Sequence, residues 1–406
     1  MFIQNLSLTL ILFLFGSSHV QSILLNRDQL ATWFPLYSNV TLLELQYRQI
    51  DSISSDALAN LTNLNKINLY INQLTSIEAN TFVGLYNLTE LDMGYNLIEM
   101  LNETSFNDLF NLKVLDLQRN KLSFFDDRLF SKLTSLETLN LNSNFLTRIN
   151  AGSFSLLRNL KLLDLSQNQI NEIETNSVPL NLIELNLNQN RVKMLDPVIF
   201  RQMKNLKFLD LYKNSLVTLD SSLFSDLISL ENLVLTQNQI IEIDGIVFSQ
   251  LINLKELYLG FNQIQSLNER ALSNLTRLEQ LHLEYNEINM LDEAIFQMNT
   301  KLELLFINNN NLSCLGVELF SNQFNMISLR LDFNMIESLN EKQFSSMKKL
   351  KFLYLENNAL IAVNRLVFVG LVNLENVYMM NNPIADLMPS LIQKLCSTNT
   401  KCKIFI

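Results

Sequence analysis

The 406-residue chain has two histidines, one tryptophan, three cysteines, five prolines and eight glycines, and each scarcity excludes something. With only His19 and His282, neither a His-based triad with several members nor a histidine zinc cluster can be assembled. The glycines form no phosphate-cradling loop, and with so few prolines they leave little room for flexible linkers or low-complexity tails. The net charge of -10 comes without any Lys/Arg cluster that could track phosphates, so nucleic acid is not an expected partner. Beyond the first residues no apolar run is long enough to cross a bilayer, and the C-terminus carries no lipid-anchor signal.

What the chain has in abundance is asparagine at a fixed period. It occupies Asn72, Asn96, Asn120, Asn144 and Asn168 at 24-residue steps. After one 22-residue step it resumes at Asn190, Asn214, Asn238, Asn262, Asn286, Asn310, Asn334, Asn358 and Asn382. An apolar pair precedes each at minus five and minus three, as in Leu139-Asn140-Leu141-Asn142-Ser143-Asn144, which runs on to Leu146 and Ile149. A period in the twenties marks a solenoid, in which one supersecondary unit stacks on copies of itself. Within Leu-x-Leu, alternate side chains point to opposite faces, so the leucines enter the core and their neighbours face solvent. One such strand cannot bury its apolar side alone, but stacked in parallel on its copies it shares a continuous core. The Asn lies where the chain turns away from the strand, and a buried amide there can satisfy backbone groups of its own and adjacent turns. These asparagines are read as structural. Ten residues after them comes a second column, Phe82, Phe106, Phe130, Phe154, Phe200, Phe224, Phe248, Phe296, Phe320, Phe344 and Phe368, whose stacked rings would fill the back of each turn.

The pattern L-x-x-L-x-L-x-x-N-x-L resembles the leucine-rich repeat family, in its 24-residue subfamily, over residues 40–383. The resemblance implies an α/β solenoid: a horseshoe of about fifteen repeats, with a parallel β-sheet on the concave face and short helical, 3-10 or irregular segments on the convex side. The short turn at 168–190 carries Val178-Pro179 where the Phe column would pass. The array is similar to Toll-type and Slit-like ectodomains and to secreted recognition proteins of invertebrates. That similarity implies extracellular recognition in immunity, adhesion or development.

The ends depart from the repeat. Residues 1–22 read as a secretory signal peptide, with an apolar run from Leu6 to Phe15 and cleavage after Val20-Gln21-Ser22. The n-region lacks Lys or Arg, and an N-terminal anchor is the alternative that the short run disfavours. Residues 23–39 form an N-terminal cap without cysteines, in which Leu30, Trp33 and Phe34 cover the first turn; Arg48 stands there in place of the ladder Asn. Residues 384–406 resemble a reduced form of the family's C-terminal cap, which usually has four cysteines. Here Cys396 and Cys402 are expected to pair in an oxidising compartment, with two free thiols as the alternative. Cys314 is left over: either an intermolecular disulfide joining a homo- or hetero-dimer, or an inert, half-buried residue. Six sequons, at Asn39, Asn60, Asn87, Asn102, Asn274 and Asn311, avoid the solvent-facing strand positions, so glycans there would leave the concave sheet clear.

Function is sought on that face. The residue between the strand leucines is Glu44, Asn68, Asp92, Asp116, Asn140, Asp164, Asn186 and Asp210 in the first half of the array. In the second half it is Val234, Tyr258, His282, Phe306, Arg330, Tyr354 and Tyr378. Phe261, Tyr285 and Phe333, next to the ladder Asn, join the same patch. Such aromatics, with Arg330 free to stack on Phe306 or Tyr354, are anchors of the kind protein interfaces use, although cross-strand packing alone would also explain them. The acidic stripe either meets a basic partner or keeps the surface soluble, and solubility is the preferred reading. Its carboxylates, Asp92 and Asp116 for example, are expected to lack the burial that separates an acid from a base, and their spacing matches no calcium loop. No catalytic, metal or cofactor residue is assigned. The expected product is a secreted, glycosylated protein that binds an extracellular protein ligand or receptor. A matrix or assembly component and an inhibitor of an extracellular enzyme are the alternatives.

Overall fold

The computed structural model describes residues 22–384 and 402–406, and these form a parallel β-solenoid with very little helix. Apart from Ser22 the proposed signal peptide lies outside the described residues, as does Cys396 and with it the proposed Cys396–Cys402 pairing. The chain divides into two compact units: one runs up to Leu146 and includes Leu156–Leu160, and the other holds Thr147–Ser155 and everything from Lys161 onward.

In the first unit the strands Leu42–Glu44, Lys66–Asn68, Glu90–Asp92, Val114–Asp116 and Thr138–Asn140 pair in parallel, with Leu43, Ile67, Leu91, Leu115 and Leu139 in one register line. In the second, the line runs through Leu163, Leu185, Leu209, Leu233, Leu257, Leu281, Leu305, Leu329, Leu353 and Val377 to Ile404. These residues are buried up to Val377, while their strand neighbours stay open to solvent, as the period of two requires. Each strand is three residues long because the residue just before the ladder Asn turns left-handed, at φ 55° in Phe261 and 53° in Tyr95.

The Asn then closes the turn. Asn262 donates through Nδ2 to Leu235 O and Leu259 O, both at 3.0 Å, and accepts Ile240 N–H at 3.1 Å. Leu259 O also accepts from Asn286, so neighbouring asparagines of the second unit share carbonyls and the bonds form a ladder. The 22-residue step keeps this arrangement, with Asn190 holding Ile170 N–H, Leu165 O and Leu187 O. The two residues are lost from the return segment, where buried Val178 replaces the phenylalanine. Buried Leu272 interrupts the column in the same way, and between these points rings stack, with centroids 6.2 Å apart for Phe82–Phe106 and 6.0 Å for Phe224–Phe248. The return segments are mostly turns, with a 3-10 helix at Arg365–Phe368.

At the N-terminal end, Asn26 caps the helix Arg27–Trp33 by accepting Gln29 N–H, and Leu30 is fully buried. Arg48 has a role of its own there: its guanidinium lies 4.4 Å from the Trp33 ring centroid and 5.2 Å from that of Phe34. At the other end Lys403–Phe405 adds a further parallel strand beside Asn376–Tyr378. No helix among the described residues is long and apolar enough to cross a membrane.

Candidate functional site

Three columns of side chains face solvent on the sheet: a central one between the strand leucines, an inner one two residues before the ladder Asn, and an outer one beside it. The central column gives the acidic stripe a local structural role beside the solubility reading. At Asn68, Asp92, Asp116, Asn140, Asp164, Asn186 and Asp210 the side-chain oxygen accepts the backbone N–H two residues on, at 2.8 to 3.1 Å. Asp and Asn are there because their short side chains make this local bond. The stripe is also less solvated than expected. Burial raises the Asp116 carboxyl to about 6 and lifts Asp92 and Asp210 in the same direction.

From Val234 onward the central column gives that bond up. Tyr258, His282, Phe306, Arg330, Tyr354 and Tyr378 place rings or a guanidinium there instead, in register on adjacent strands. His282 lies between Tyr258 and Phe306, with centroids 4.5 Å from each. Of its two candidate rings Arg330 takes Tyr354, with Cζ 4.9 Å from the centroid. Tyr354 stacks on Tyr378 at 4.7 Å, and Tyr378 on Phe405 at 4.7 Å. Phe405 was missed in the sequence because no ladder Asn follows it; the alternation Lys403-Ile404-Phe405 was the available signal. The Tyr258 hydroxyl donates to Glu256 Oε2 at 2.8 Å, and burial followed by that carboxylate pushes its pKa above the ordinary value.

The outer column adds Phe261, Tyr285 and Phe333, which are 42%, 47% and 49% exposed. Phe261 and Tyr285 stack at 4.3 Å. All three are left-handed, at φ 53–55°, a conformation that costs an L-residue other than Gly or Asn about 1–2 kcal/mol.

Between these walls runs the inner column, which sequence reasoning passed over: Gly260, Glu284, Asn308, Asp332 and Glu356. The Asp332 side chain is wholly buried and takes Arg330 in a two-pronged contact, at 3.1 Å to Nε and 2.9 Å to Nη2. Burial alone would lower the Arg330 pKa, but this carboxylate holds it above the ordinary value. Glu284 Oε2 lies 3.5 Å from His282 Nδ1 but makes no hydrogen bond, so the two attract only when the imidazole is protonated. Asn308 Oδ1 and Glu356 Oε2 are likewise buried atoms without a hydrogen-bond partner. Burial raises the Glu356 carboxyl, with the Asp332 charge adding to it. An open cavity of about 380 Å³ is lined by Glu284, Asn308, Asp332 and the rings of Phe261, Tyr285, Phe306 and Phe333.

A smaller aromatic group in the first unit was also unforeseen. Tyr70 lies 6.2 Å from Tyr47 and 4.9 Å from Tyr95, whose ring Arg119 covers at 5.0 Å. Cys314 is exposed rather than half-buried, and it forms no disulfide among the described residues; Cys402 is half-buried beside the last strand. All six sequon asparagines are exposed and off the Leu-x-Leu strands. Three of them already use their amides: Asn87 donates to Thr62 O and Asn274 to Ser249 O, both at 2.8 Å, and Asn311 to Glu287 O at 3.5 Å. No group of metal-ligating side chains is found among the described residues.

Comparison with solved structures finds the same fold in several settings. A leucine-rich repeat protein of Leptospira interrogans is 26% identical, with a TM-score of 0.75 over 93% of this chain and 98% of that one. TLR13, solved as a complex with ssRNA13, is 29% identical, with a TM-score of 0.79 over 90% of this chain and 54% of its own. Drosophila Toll, solved with Spatzle, is 20% identical, with a TM-score of 0.69 over 90% of this chain and 56% of Toll. The chain thus spans just over half of these two receptor chains. No curated protein is matched by its sequence. The leucine rich repeat family model matches residues 38–98, 87–144, 134–178, 181–240, 228–288 and 325–384, well over half of the chain. With its leucine register, asparagine ladder and phenylalanine stack in place, the chain belongs to the leucine-rich repeat family.

Proposed function

We propose that this is a secreted, glycosylated leucine-rich repeat protein that binds another protein on the solvent face of its sheet, in extracellular immune, adhesive or developmental recognition. The observation that carries the reading is the aromatic row from Tyr258 to Phe405. At six successive turns from Tyr258 to Tyr378 the central column, like Val234 before it, forgoes a side-chain-to-backbone bond worth about 0.5–1.5 kcal/mol, which Asp164, Asn186 and Asp210 make. Beside it, three half-exposed rings occupy the left-handed position that other turns fill with residues such as Arg119, Gln167 and Lys213. Ring stacking returns about 0.5–1.5 kcal/mol per pair, but it does not call for exposed outer rings. Local rules broken without structural gain gather where a surface has another task. Tyr, Phe and Arg on rigid strands supply large contact area at low entropy cost, and they are the residues that anchor protein interfaces.

The acid-lined face favours a protein over a nucleic acid, whose phosphates need a basic surface. The exposed thiol of Cys314 supports a second reading, an assembly component linked through disulfides, which a non-reducing gel of the secreted protein would reveal as a dimer. To test the main reading, the secreted protein and a variant with Tyr258, Phe306, Tyr354 and Tyr378 changed to Ser are used to capture partners from extracellular extracts, with circular dichroism showing both equally folded. A partner held by the wild type and lost by the variant supports recognition through this row. Equal capture by both contradicts it.

A further inference from the structure

Resting on the reading of this face as a recognition surface, we infer that the cavity around Glu284 and Asn308 receives a cationic side chain, arginine or lysine, from a basic segment of the partner protein. Three observations converge on this. The first is charge: beside the row from Tyr258 to Tyr378 stand Glu256, Glu284, Glu356 and the buried Asp332, and the row itself holds one permanent cation, Arg330. Asp332 is neutralised by Arg330 and Glu256 is engaged by the Tyr258 hydroxyl, which leaves Glu284 and Glu356 as the uncommitted carboxylates.

The second is unmet hydrogen bonding. Asn308 is only 5% exposed, lines the cavity, and has an Oδ1 with no donor, and Glu284 Oε2 beside it also lacks one. Buried acceptors without partners are costly, and a ligand that brings N–H donors removes that cost. Gly260 makes room for the arrangement. A Cβ at that position would stand 2.6 Å from Glu284 Oε1, so only glycine lets the carboxylate lie where it does.

The third is that the row already holds one cation in this manner. Arg330 sets its guanidinium against the Asp332 carboxylate and over the Tyr354 ring. Its neighbouring site repeats the components, the Glu284 carboxylate with ring faces of Phe261, Tyr285 and Phe306 around it; His282 and Arg330 also line it, but the Arg330 guanidinium is taken by Asp332 and Tyr354, and among the described residues no permanent cation pairs with Glu284. Ring faces and carboxylate attract a cation together, the combination used to recognise basic side chains.

The probe is a fluorescently labelled decapeptide of alternating glycine and arginine, with a glycine–glutamate peptide as its counterpart. Binding is read by anisotropy in about 0.1 M salt, where distant charges are screened beyond roughly 10 Å. The arginine peptide is expected to bind the wild type and the glutamate peptide not. Glu284→Gln with Glu356→Gln should weaken binding about tenfold or more. Glu242→Gln with Glu337→Gln, an equal change of charge at exposed sites outside the groove, should weaken it less than about twofold. Gly260→Ala displaces the carboxylate without altering charge and should weaken binding about threefold or more. Equal weakening by the two charge pairs, or no binding of the arginine peptide, would overturn the proposal. The partner from extracellular extracts separates the two ideas. Capture lost with the four-serine variant but kept with Glu284→Gln/Glu356→Gln overturns the cationic site and leaves the recognition surface standing. Capture kept by both variants overturns both.

Discussion

Replacing Asn262 with alanine tests how far the ladder, rather than the leucine core alone, holds a turn together. The substitution removes the bonds to Leu235 O, Leu259 O and Ile240 N–H, besides a longer one to Gly260 O at 3.2 Å, but their costs differ. Leu235 O and Leu259 O each keep a second asparagine, Asn238 and Asn286, so each loses one of two bonds, worth about 0.5–1.5 kcal/mol apiece. Ile240 N–H has only Asn262 Oδ1 and becomes a buried orphan, at about 1–3 kcal/mol. These three contributions sum to about 2–6 kcal/mol. Equilibrium urea unfolding followed by far-ultraviolet circular dichroism reads it as a lower midpoint at unchanged slope. Hydrogen exchange at Ile240 should quicken selectively. Asn262→Asp should be at least as damaging at pH 7, because it sets a carboxylate oxygen against two carbonyls. Protonation then favours the folded state, so the folded pKa is raised. The stability is present below about 4, where a carboxylic acid can donate to one carbonyl, and it is lost as pH rises. A loss under about 1 kcal/mol for Asn262→Ala, with Ile240 exchange unchanged, would refute the reasoning.

The phenylalanine stack gives a second test: Phe224 is fully buried, and Phe224→Ala should cost about 3–5 kcal/mol by urea unfolding, whereas half-exposed Phe324→Ala should cost under about 0.5. For Asp116 the folded pKa of about 6 exceeds the value of 3.8 expected without burial, so the native state binds the extra proton between them. Its contribution is complete below about 4 and lost as pH rises through 6, up to about 3 kcal/mol; a wild-type pH slope retained in Asp116→Asn would contradict this. Arg330→Ala leaves the buried Asp332 carboxylate without its partner and should cost about 2–3 kcal/mol, reduced from the fully buried case because the guanidinium is 36% exposed. The double variant Arg330→Ala/Asp332→Ala should lose less than the single one, and a larger loss would argue against an uncompensated charge.

The architecture was readable because each turn repeats its own constraints. Leu139 and Leu141 declare a face, Asn144 the turn after it, and Phe154 the ring behind, and a mistake in one turn would be exposed by the next. The central aromatic row was readable for the same reason, as a column that changes character. What escaped were effects between columns. The asparagine and aspartate stripe looked like surface charge because nothing in Asp92-Met93-Gly94 announces that the carboxylate accepts the Gly94 amide. The inner column was passed over since Glu284, Asn308 and Asp332 are ordinary polar residues one at a time. Their burial arises only when the rings of neighbouring strands close over them. Phe405 lay beyond the last asparagine, where periodicity stops giving information.

The most direct measurement of the central claim is the affinity of the captured partner, purified and titrated against single variants along the row. Phe306→Ser and Tyr354→Ser should each weaken binding by about 2 kcal/mol or more, roughly thirtyfold, as buried interface anchors do. Ile252→Ser, at an exposed position outside the strands, should change it less than about twofold. Equal affinity across all three variants would contradict the account and place recognition elsewhere on the protein.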